Sequence, residues 1–371
     1  MPREIRFTEY FADLPDPRVD RTKRHRLDNI LVISLCAVIC GADSFESIER
    51  FGNAKEDWLK TFLDLPNGIP SHDTFNRVLS ALDPVIFAAC FGRWMTDLCE
   101  ATGLKPIAID GKSCRGAPAD TFSGRLHLVS AWATENKLFL GQVAVEEGSN
   151  EIPAIPELLK ILDLKGALVT IDAAGCQKEI VEQIREKGGD YLLAVKGNQP
   201  ALEQAVHAVF ERAAEKDFAD CQTSATVEDG HGRHEERYVT VVRNPKGLPP
   251  EWKDVAAVVM VGREREVGGK NTSSVHYYIT SLRCSPKKLA GYIRGHWGVE
   301  NGLNWCLDMS FGEDKNRTRD RNAGANLGVI RRVSASLIKQ DPGKGSIITK
   351  RLNAALDTDY LLKVLNGFQA N

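Results

Sequence analysis

The chain has 371 residues, of which 43% are hydrophobic and 26% charged, and its formal net charge is −2. This length suits two or three domains, or one large α/β unit with an insertion, and the composition is that of an ordinary globular protein. The near-zero charge excludes a uniformly basic coat but allows local basic patches. The longest apolar run, residues 30–42, is too short to cross a bilayer and predicts a core helix.

Targeting signals and cysteines give little functional information. The N-terminus lacks the apolar segment of a secretory signal, so we expect a cytoplasmic protein with no membrane partner. Nine cysteines are scattered without a CxxC pair or a zinc-binding spacing. We interpret them as buried thiols, and not as disulfides or metal ligands.

The first part of the chain has a helical pattern. Predicted helices span residues 29–40, 44–63, 71–82 and 84–101, and Ser44 and Ser71 occupy N-cap positions. We therefore predict an N-terminal helical domain over residues 1–103. A helix pair whose second member begins at Ser71 is either a DNA-reading helix-turn-helix or an ordinary helical pair.

After residue 104 the pattern becomes that of a mixed α/β domain. Predicted strands span 106–109, 126–134, 137–145, 167–171 and 191–195, with helices over 151–162, 178–187 and 201–215. This β-β-β-α-β-α-β-α order predicts a mixed five-stranded sheet with an antiparallel edge and helices on both faces.

A β-rich insertion is predicted within this domain. Strands over 237–243, 255–263 and 275–282 are separated by turn sequences. Helices over 286–307 and 322–339 follow, the second of them basic and amphipathic. The predicted division is an N-terminal helical domain (1–103), an α/β domain (104–216 and 286–340), the insertion (217–285) and a C-terminal tail (341–371).

A basic stretch lies between residues 287 and 351, where lysines and arginines outnumber acids. Its clustered members are Lys315, Arg317, Arg319, Arg321, Arg331 and Arg332. The pattern fits a solvated helical surface and a phosphate-binding surface equally well.

Two aspartates follow short apolar strands. Asp110 is predicted to end the strand in IAIDGK, and Asp172 the strand in LVTIDA. Each alone is typical of a cap on the following turn, but side chains at neighbouring strand ends also point into the crevice where ligands bind. Two close carboxylates repel unless they share a proton or bind a cation. The pair therefore predicts a hard cation such as Mg²⁺.

A third acid, Glu300, lies in the predicted helix over 286–307. Steps of four place Tyr292, His296 and Glu300 on one helical face, which apolar residues border. An acid in that position is expected to point toward the body of the protein and to need a partner, which a metal would supply. Four glycines weaken this helix by about 1 kcal/mol each relative to alanine. They are Gly291, Gly295, Gly298 and Gly302.

Four short motifs follow one another along the chain: IDGK at 109–112, VKGNQ at 195–199, HGR at 231–233 and HWGVEN at 296–301. In this order they resemble the DDE transposases of bacterial insertion sequences, most closely the H-repeat-associated group, over nearly the whole chain. The resemblance implies a ribonuclease-H-like fold. It also implies that Asp110, Asp172 and Glu300 are the catalytic residues and hold two Mg²⁺ ions, with Mn²⁺ as a substitute.

Related transposases carry a tyrosine, an arginine, the catalytic glutamate and a lysine on the last helix, where the cations hold phosphates. Tyr292 and Glu300 match this pattern, and both Arg294 and His296 compete for the arginine position. Leu307 stands where the lysine is expected, so Lys315 or Arg317 is the candidate replacement.

Other residues allow two interpretations. Trp297 is either a platform for an extruded base or a core aromatic. Asn198 and Gln199 either reach a phosphate or form a turn before Pro200. The charged stretch at 231–237 either contacts DNA backbone or forms surface ion pairs.

The leading hypothesis is a DNA transposase that binds the terminal inverted repeats of its element and cuts there. It then joins the 3′ ends to target DNA by two-metal-ion phosphoryl transfer. Because two ends are paired, we expect a homodimer on double-stranded DNA, associated with the nucleoid when bound. The alternatives are a structure-specific nuclease on the same fold and a catalytically inactive DNA-binding regulator.

Overall fold

The computed structural model describes residues 6–98, 105–116, 125–230 and 232–368. Contacts divide the chain into two compact units. The first unit comprises Met1–Ala101, Gly111–Leu162 and Gly298–Asn371, and the second comprises Thr102–Asp110 and Asp163–Trp297. The boundaries of these units differ from those of the predicted domains, and the domain division remains a prediction.

Helices fill the N-terminal part of the first unit, as predicted. They are Leu27–Ile39 (α1), Phe45–Ala54 (α2), Glu56–Leu59 (α3), His72–Ala81 (α4) and Pro84–Leu98 (α5). The apolar helix α1 is buried from Asn29 to Ile39, which confirms it as a core helix. Residues 99–101, with which the predicted fourth helix ends, lie outside the described residues.

The N-caps of these helices differ. The Ser44 side chain accepts a hydrogen bond from the Ser47 N–H, and the Ser47 hydroxyl accepts one from the Ser44 N–H, which is a complete capping box. Ser71 precedes α4 without a side-chain cap hydrogen bond. The single helix predicted over 44–63 is wrong, because Lys55 leaves helical geometry at φ −117° and separates α2 from α3. The preceding Gly52-Asn53 pair has low helix propensity.

The α/β elements follow the predicted order. They are Lys105–Ser113 (β1), His127–Ala133 (β2), Leu138–Ala144 (β3), Glu151–Ile161 (α6), Ala167–Ile171 (β4), Lys178–Glu186 (α7), Asp190–Val195 (β5) and Pro200–Ala214 (α8). Strands β1, β4 and β5 pair in parallel, and β2 pairs with β3 antiparallel. The mixed α/β class is therefore confirmed.

The insertion enlarges the sheet. Its strands are Gln222–Gly230 (β6), Arg233–Arg243 (β7), Ala257–Val267 (β8) and Lys270–Thr280 (β9). Strand β9 pairs antiparallel with β5, and the nine strands are ordered β3-β2-β1-β4-β5-β9-β8-β7-β6. The predicted five-stranded sheet is thus too small. The mostly polar, largely exposed β6 was not predicted because it has no apolar face.

Helices complete the chain. They are Pro286–Val299 (α9), a π-helical segment over Glu300–Asn304, Trp305–Phe311 (α10), Arg321–Lys339 (α11), Ile347–Leu356 (α12) and Thr358–Leu365 (α13). The predicted tail therefore contains two helices, and Ala354, Leu361 and Val364 are buried within the first unit.

Helices cover both faces of the sheet in the second unit. Tyr277 of β9 contacts His207 of α8, with 4.5 Å between ring centroids. Its neighbour Tyr278 points to the opposite face, where it shares an apolar cluster with Leu289 and Ile293 of α9. Successive residues of one strand thus separate α8 from α9.

The described residues bear on two expectations about the whole chain. No single helix there is long and apolar enough to cross a membrane. Helices α4 and α5 reach the length and composition of a membrane span only when taken together, and they are bent by 96° at the break between them. The eight cysteines described are free thiols and five are buried, while Cys99 lies outside the described residues.

Candidate active site

The first two predicted acids lie side by side in register. Strands β1 and β4 are paired from Lys105–Ala167 to Ile109–Ile171, so Asp110 and Asp172 each follow the last paired position. Neighbouring strands are about 5 Å apart, and residues in register point to the same face. Asp110 does not end its strand as predicted, since β1 continues to Ser113. The end of its pairing with β4 nevertheless leaves both carboxylates at one edge of this parallel pair.

Hydrogen bonds fix the turn that contains Asp172. Its Oδ1 accepts from the Ala174 N–H at 3.0 Å, so the capping role considered for this aspartate is real. The Asn198 side-chain amide donates to the Ala173 carbonyl at 2.7 Å. Asn198 therefore connects the loop after β5 to the loop after β4, and its effect on Asp172 is structural. Gln199 donates similarly to the Gln177 side chain at 3.0 Å.

His296 lies on the same side of the second unit as Asp172. Its Nδ1 is 3.1 Å from the Thr170 hydroxyl, one residue before Ile171. Burial lowers the pKa of His296, although the nearby Asp172 carboxylate opposes this shift. The imidazole is therefore neutral at physiological pH and is a poor substitute for the cation expected on this helix.

Trp297 is 47% exposed, so it is not a core aromatic. It lies against His296, with 5.7 Å between ring centroids, and lines a small cavity with Asp172 and Tyr278. The volume of about 10 Å³ admits at most one water molecule. A larger binding partner would therefore have to lie on the outer surface.

The other candidate cation on α9, Arg294, is 53% exposed and forms an ion pair with Glu228 of β6 at 2.5 Å. Tyr292 is partly buried against the apolar cluster of α9 and the sheet. Helix α9 thus contains one paired arginine, one neutral histidine and one packed tyrosine.

Glu300 begins the π-helical segment and belongs to the first unit. It is exposed, so the expectation that it points into the protein body is wrong. The positions that face the interior are Val299 and Leu303, which are 4% and 1% exposed. Single π turns occur often at functional sites because they rotate the following side chains. Gly298 and Gly302, beside Glu300, face open space.

A buried ion cluster near the end of β1 was missed by sequence reasoning. Lys112 forms ion pairs with Asp308 at 2.6 Å, Glu313 at 3.4 Å and Asp314 at 3.4 Å. Glu313 also binds Arg332 at 2.6 Å, and both are only 1% exposed. The signal available in the sequence was the lysine of IDGK, two residues after Asp110.

Gly111 is also constrained. A Cβ there would collide with the Glu151 carboxylate and the His127 imidazole, whose Oε1 and Nε2 are 2.7 Å apart. Ser113 contacts the other ring nitrogen of His127 at 2.7 Å. A larger residue at this position would therefore require the Glu151 and His127 side chains to move.

Five of the clustered basic residues divide into two classes. Lys315, Arg317 and Arg319 are exposed and line a cavity of about 530 Å³ with the start of α2. Arg331 and Arg332 are 2% and 0% exposed, so neither is available on a solvated or phosphate-binding surface. The sequence pattern cannot separate these groups, because α11 is buried along both its apolar and its basic positions.

The chain matches known protein families over most of its length. A family model described as "Transposase DDE domain" matches residues 101–335, which is more than half of the sequence. The chain belongs to the DDE transposase family. A second model, described as "DDE_Tnp_1-associated", matches residues 8–95 and covers most of the N-terminal helices.

Full-length relatives place this transposase in the H-repeat group, as the motifs predicted. "Putative transposase YncI" of Escherichia coli O157:H7 is 40% identical over 368 residues, covering 96% of this chain and 93% of that protein. "H repeat-associated putative transposase YhhI" of Escherichia coli K12 is 39% identical, with 97% of each chain covered. A short K12 relative, "Inactive transposase YbfQ", is 46% identical over 72 residues, which are 19% of this chain and 86% of that protein.

Whether a metal fits this transposase depends on the side chains that could bind it. Asp110 and Asp172 offer carboxylate oxygens from adjacent positions just beyond the β1–β4 pairing, which suits a hard cation. Within the described ranges, no group of three or more His, Cys, Asp or Glu side chains is arranged to hold a metal. Glu300 belongs to the other compact unit. Two of the three acids thus fit a common ligand set.

Proposed function

We propose that this transposase cuts DNA at the ends of an insertion sequence and joins the freed 3′ ends to target DNA. The observation that supports it best is the register of β1 and β4, which leaves Asp110 and Asp172 adjacent at one edge of the sheet. Family membership supplies the reaction class, and two adjacent carboxylates are what phosphoryl transfer through divalent metals requires.

The strand order supports a ribonuclease-H-like catalytic core. Strands β3-β2-β1-β4-β5 form a contiguous part of the sheet in the order expected for that fold, and β6 to β9 extend it as an insertion. In this proposal the catalytic domain comprises 104–216 and 286–340, interrupted by the insertion at 217–285. The helical domain 1–103 would then recognise the DNA ends.

Asp110, Asp172 and Glu300 would hold two Mg²⁺ ions, with Mn²⁺ as a substitute. When bound, such ions lower the pKa of an attacking water or 3′-hydroxyl and stabilise the departing oxygen. The chain's own contribution is orientation. The Ala174 N–H holds one oxygen of Asp172, Asn198 fixes the adjoining loop, and the neutral His296 adds no competing charge.

The DNA contacts proposed from the sequence have different support. Trp297 is half exposed beside Asp172 and would stack on a base near the cut. Lys315 and Arg317 are exposed and would hold phosphates. The other proposed DNA contacts already bind within the protein, so their roles would be to position neighbouring groups; they are Tyr292, Arg294, His296 and Asn198. Arg294 would bind DNA only if its ion pair with Glu228 broke. Pairing of two element ends would require a homodimer on DNA.

A second candidate function is an inactive DNA-binding regulator. The observation that favours it is the relative named an inactive transposase, which is 46% identical over its matched segment. The two functions differ in one measurable property, because a regulator binds the element ends without cutting them.

The test is Mg²⁺-dependent cutting and strand joining on the gene's own flanking DNA by wild type and Asp172→Asn. The asparagine keeps an oxygen for the Ala174 N–H but removes the charge, so we expect end binding to persist while cutting falls by at least a hundredfold. Asp220→Asn, at an 84% exposed carboxylate of the same unit, is the control and should cut normally. Binding without cutting by wild type would favour the regulator, and cutting without joining would favour a nuclease.

A further inference from the structure

The outer parts of β7 and β8 have two faces of opposite charge. Residues alternate between the faces of a strand, and the β7–β8 pairing is continuous from Arg233–Val267 to Arg243–Ala257. One side, which we call the arginine face, carries Arg233, Glu235, Arg237, Arg263 and Arg265. The other side, the acidic face, carries His234, Glu236, Tyr238, Glu264 and Glu266.

Glu235 lies at the centre of the arginine face and is fully buried. It forms ion pairs with Arg237, with Arg263 at 2.8 Å and with Arg233 at 3.6 Å. On the neighbouring strand β6, Glu228 lies opposite Glu235 and is paired with Arg237 at 3.3 Å and with Arg294 of α9. Among the described residues, five arginines thus accompany two carboxylates on this face, which leaves an excess of positive charge.

Two nitrogen atoms of these guanidinium groups lack hydrogen-bond acceptors. Arg265 lies opposite Glu235 in the register, yet the ion pairs of Glu235 go to the other three arginines. Among the described residues, Nε of Arg263, Nε of Arg265 and Oε1 of Glu235 are buried without a hydrogen-bond partner. A buried donor without a partner is costly, and an anion would supply the missing oxygens. The side chains of Arg233 and Arg263 are each 39% exposed, so an anion can reach them.

The arginine face continues toward the candidate site. The same face of β7 and β8 carries Val239 and Val261, which pack with Ile293 of α9. Tyr278 of β9 belongs to that cluster and also lines the small cavity beside Asp172 and Trp297. A long polyanion that crosses Asp172 and Trp297 can therefore extend along the arginine face without leaving this side of the sheet.

The acidic face would repel the same ligand. Glu236 and Glu264 lie directly opposite each other, and Glu266 follows on β8. Like charges in such cross-strand positions destabilise a sheet and reject anions. The insertion thus has one side suited to a polyanion and one side opposed to it.

We propose that the arginine face of β7 and β8 binds the phosphate backbone of DNA that lies across the candidate site. Guanidinium forks match phosphate oxygens, and several forks along two strands suit successive phosphates of one nucleic acid better than a single small anion. The inference rests on the proposed function, because that function supplies DNA as the ligand. It adds the surface and the residues that hold the backbone.

The test measures DNA binding without catalysis. Wild type, Arg265→Gln and the double variant Arg265→Gln/Arg233→Gln are titrated against a labelled duplex carrying the element end, in EDTA and at several salt concentrations. Each arginine lost from a phosphate contact should lower the slope of log K against log salt by about one, with binding about threefold to tenfold weaker. Arg265→Gln leaves the ion pairs of Glu235 intact, so the variant should fold, which its melting temperature would verify.

Arg212→Gln is the matched control. Arg212 is an arginine of the same unit on α8, and α8 packs on the opposite side of the sheet at Tyr277. Its loss should leave affinity and salt slope at wild-type values. The proposal is overturned if the arginine-face variants bind as wild type does, if Arg212→Gln weakens binding equally, or if wild type does not bind DNA.

Two further results separate the explanations. Wild type that cuts and joins, with arginine-face variants that bind normally, would overturn this inference and leave the proposed function standing. Variants that lose binding while wild type never cuts would support the inference and reject the proposed function. A third result is that wild type forms oligomers, which Arg265→Gln dissociates without a change in DNA affinity. The arginine face would then bind an acidic surface of a second copy, and the proposal would be overturned.

Discussion

Each of the two units contains a buried glutamate among cations, but the surroundings of the two differ. Glu313 of the first unit is bound by Arg332 and Lys112, whose side chains are 1% and 9% exposed. Glu235 of the second unit is bound by arginines whose side chains are between 25% and 39% exposed. Asp308 and Asp314 add negative charge around Lys112, whereas the arginines around Glu235 outnumber the carboxylates.

Access, and not hydrogen-bond satisfaction, separates the two clusters. Both contain guanidinium nitrogens without an acceptor among the described residues, for example Nη2 of Arg332 and Nε of Arg265. No ligand can reach Arg332, so its unpaired nitrogen lowers the stability of the fold. The exposed arginines around Glu235 remain available to a partner. The first cluster therefore stabilises the fold, and the second is suited to binding.

The largest effect is expected from Glu313→Gln. Removal of this carboxylate leaves Arg332 and Lys112 charged in the interior, and breaking a buried ion pair in this way costs about 3–5 kcal/mol. Urea unfolding would measure the loss. Glu135→Gln, at an exposed turn position, should change the unfolding free energy by less than about 0.5 kcal/mol. Equal stabilities for the two variants would show that the Glu313 cluster is not structural.

Glu235→Gln should cost less stability, about 1–2 kcal/mol, because water can hydrate its partly exposed arginine partners. The same change raises the net positive charge of the arginine face, so DNA binding should become tighter. Urea unfolding and the duplex titration described above would measure both properties. Glu264→Gln on the acidic face is the control for stability. Weaker DNA binding by Glu235→Gln would contradict the comparison, since it would mean that the carboxylate itself helps to hold the ligand.

The smallest effect is a dependence of stability on pH. Burial raises the pKa of Glu313, but the charges of Arg332 and Lys112 outweigh it and hold the pKa below its ordinary value of 4.5. A carboxyl with a lowered folded pKa adds stability above the unfolded pKa and loses it as pH falls through the folded one. The free energy of unfolding should therefore fall below about pH 4.5, by at most about 1.4 kcal/mol per pH unit for this group.

Unfolding of wild type and Glu313→Gln between pH 7 and pH 3 would isolate this contribution. The variant lacks the titrating group and should lose less stability over the acid range. Parallel curves for the two proteins would assign the acid sensitivity to other carboxylates.

Much of the order of elements was predictable because local patterns determine it. The predicted strand over 167–171 is β4, and helices over 151–162 and 178–187 match α6 and α7 within one residue. Asp110 and Asp172 were chosen as candidates because each follows a short apolar run in the sequence. Strand β6 was missed because its polar sequence has no hydrophobic alternation, and its pairing with β7 is what makes it a strand.

Burial was predicted poorly where it depends on distant residues. Glu300 has apolar neighbours at helical spacing, but the π-helical turn makes Val299 and Leu303 the buried positions. Arg331 and Arg332 look like surface cations, yet Glu313 and the backbone carbonyl of Asp43 receive them in the interior. No local pattern contains the position of those partners.

The sequence by itself determined the family, most of the order of helices and strands, and the two aspartates that follow short apolar runs, since these depend on short motifs and on periods of two and 3.6 residues. Only the tertiary structure decided which charges are enclosed and which face solvent. The arginine face illustrates the reason, because Arg265 joins Glu235 only through the β7–β8 register. Pairing between residues thirty positions apart depends on how the whole sheet assembles, which no local pattern records.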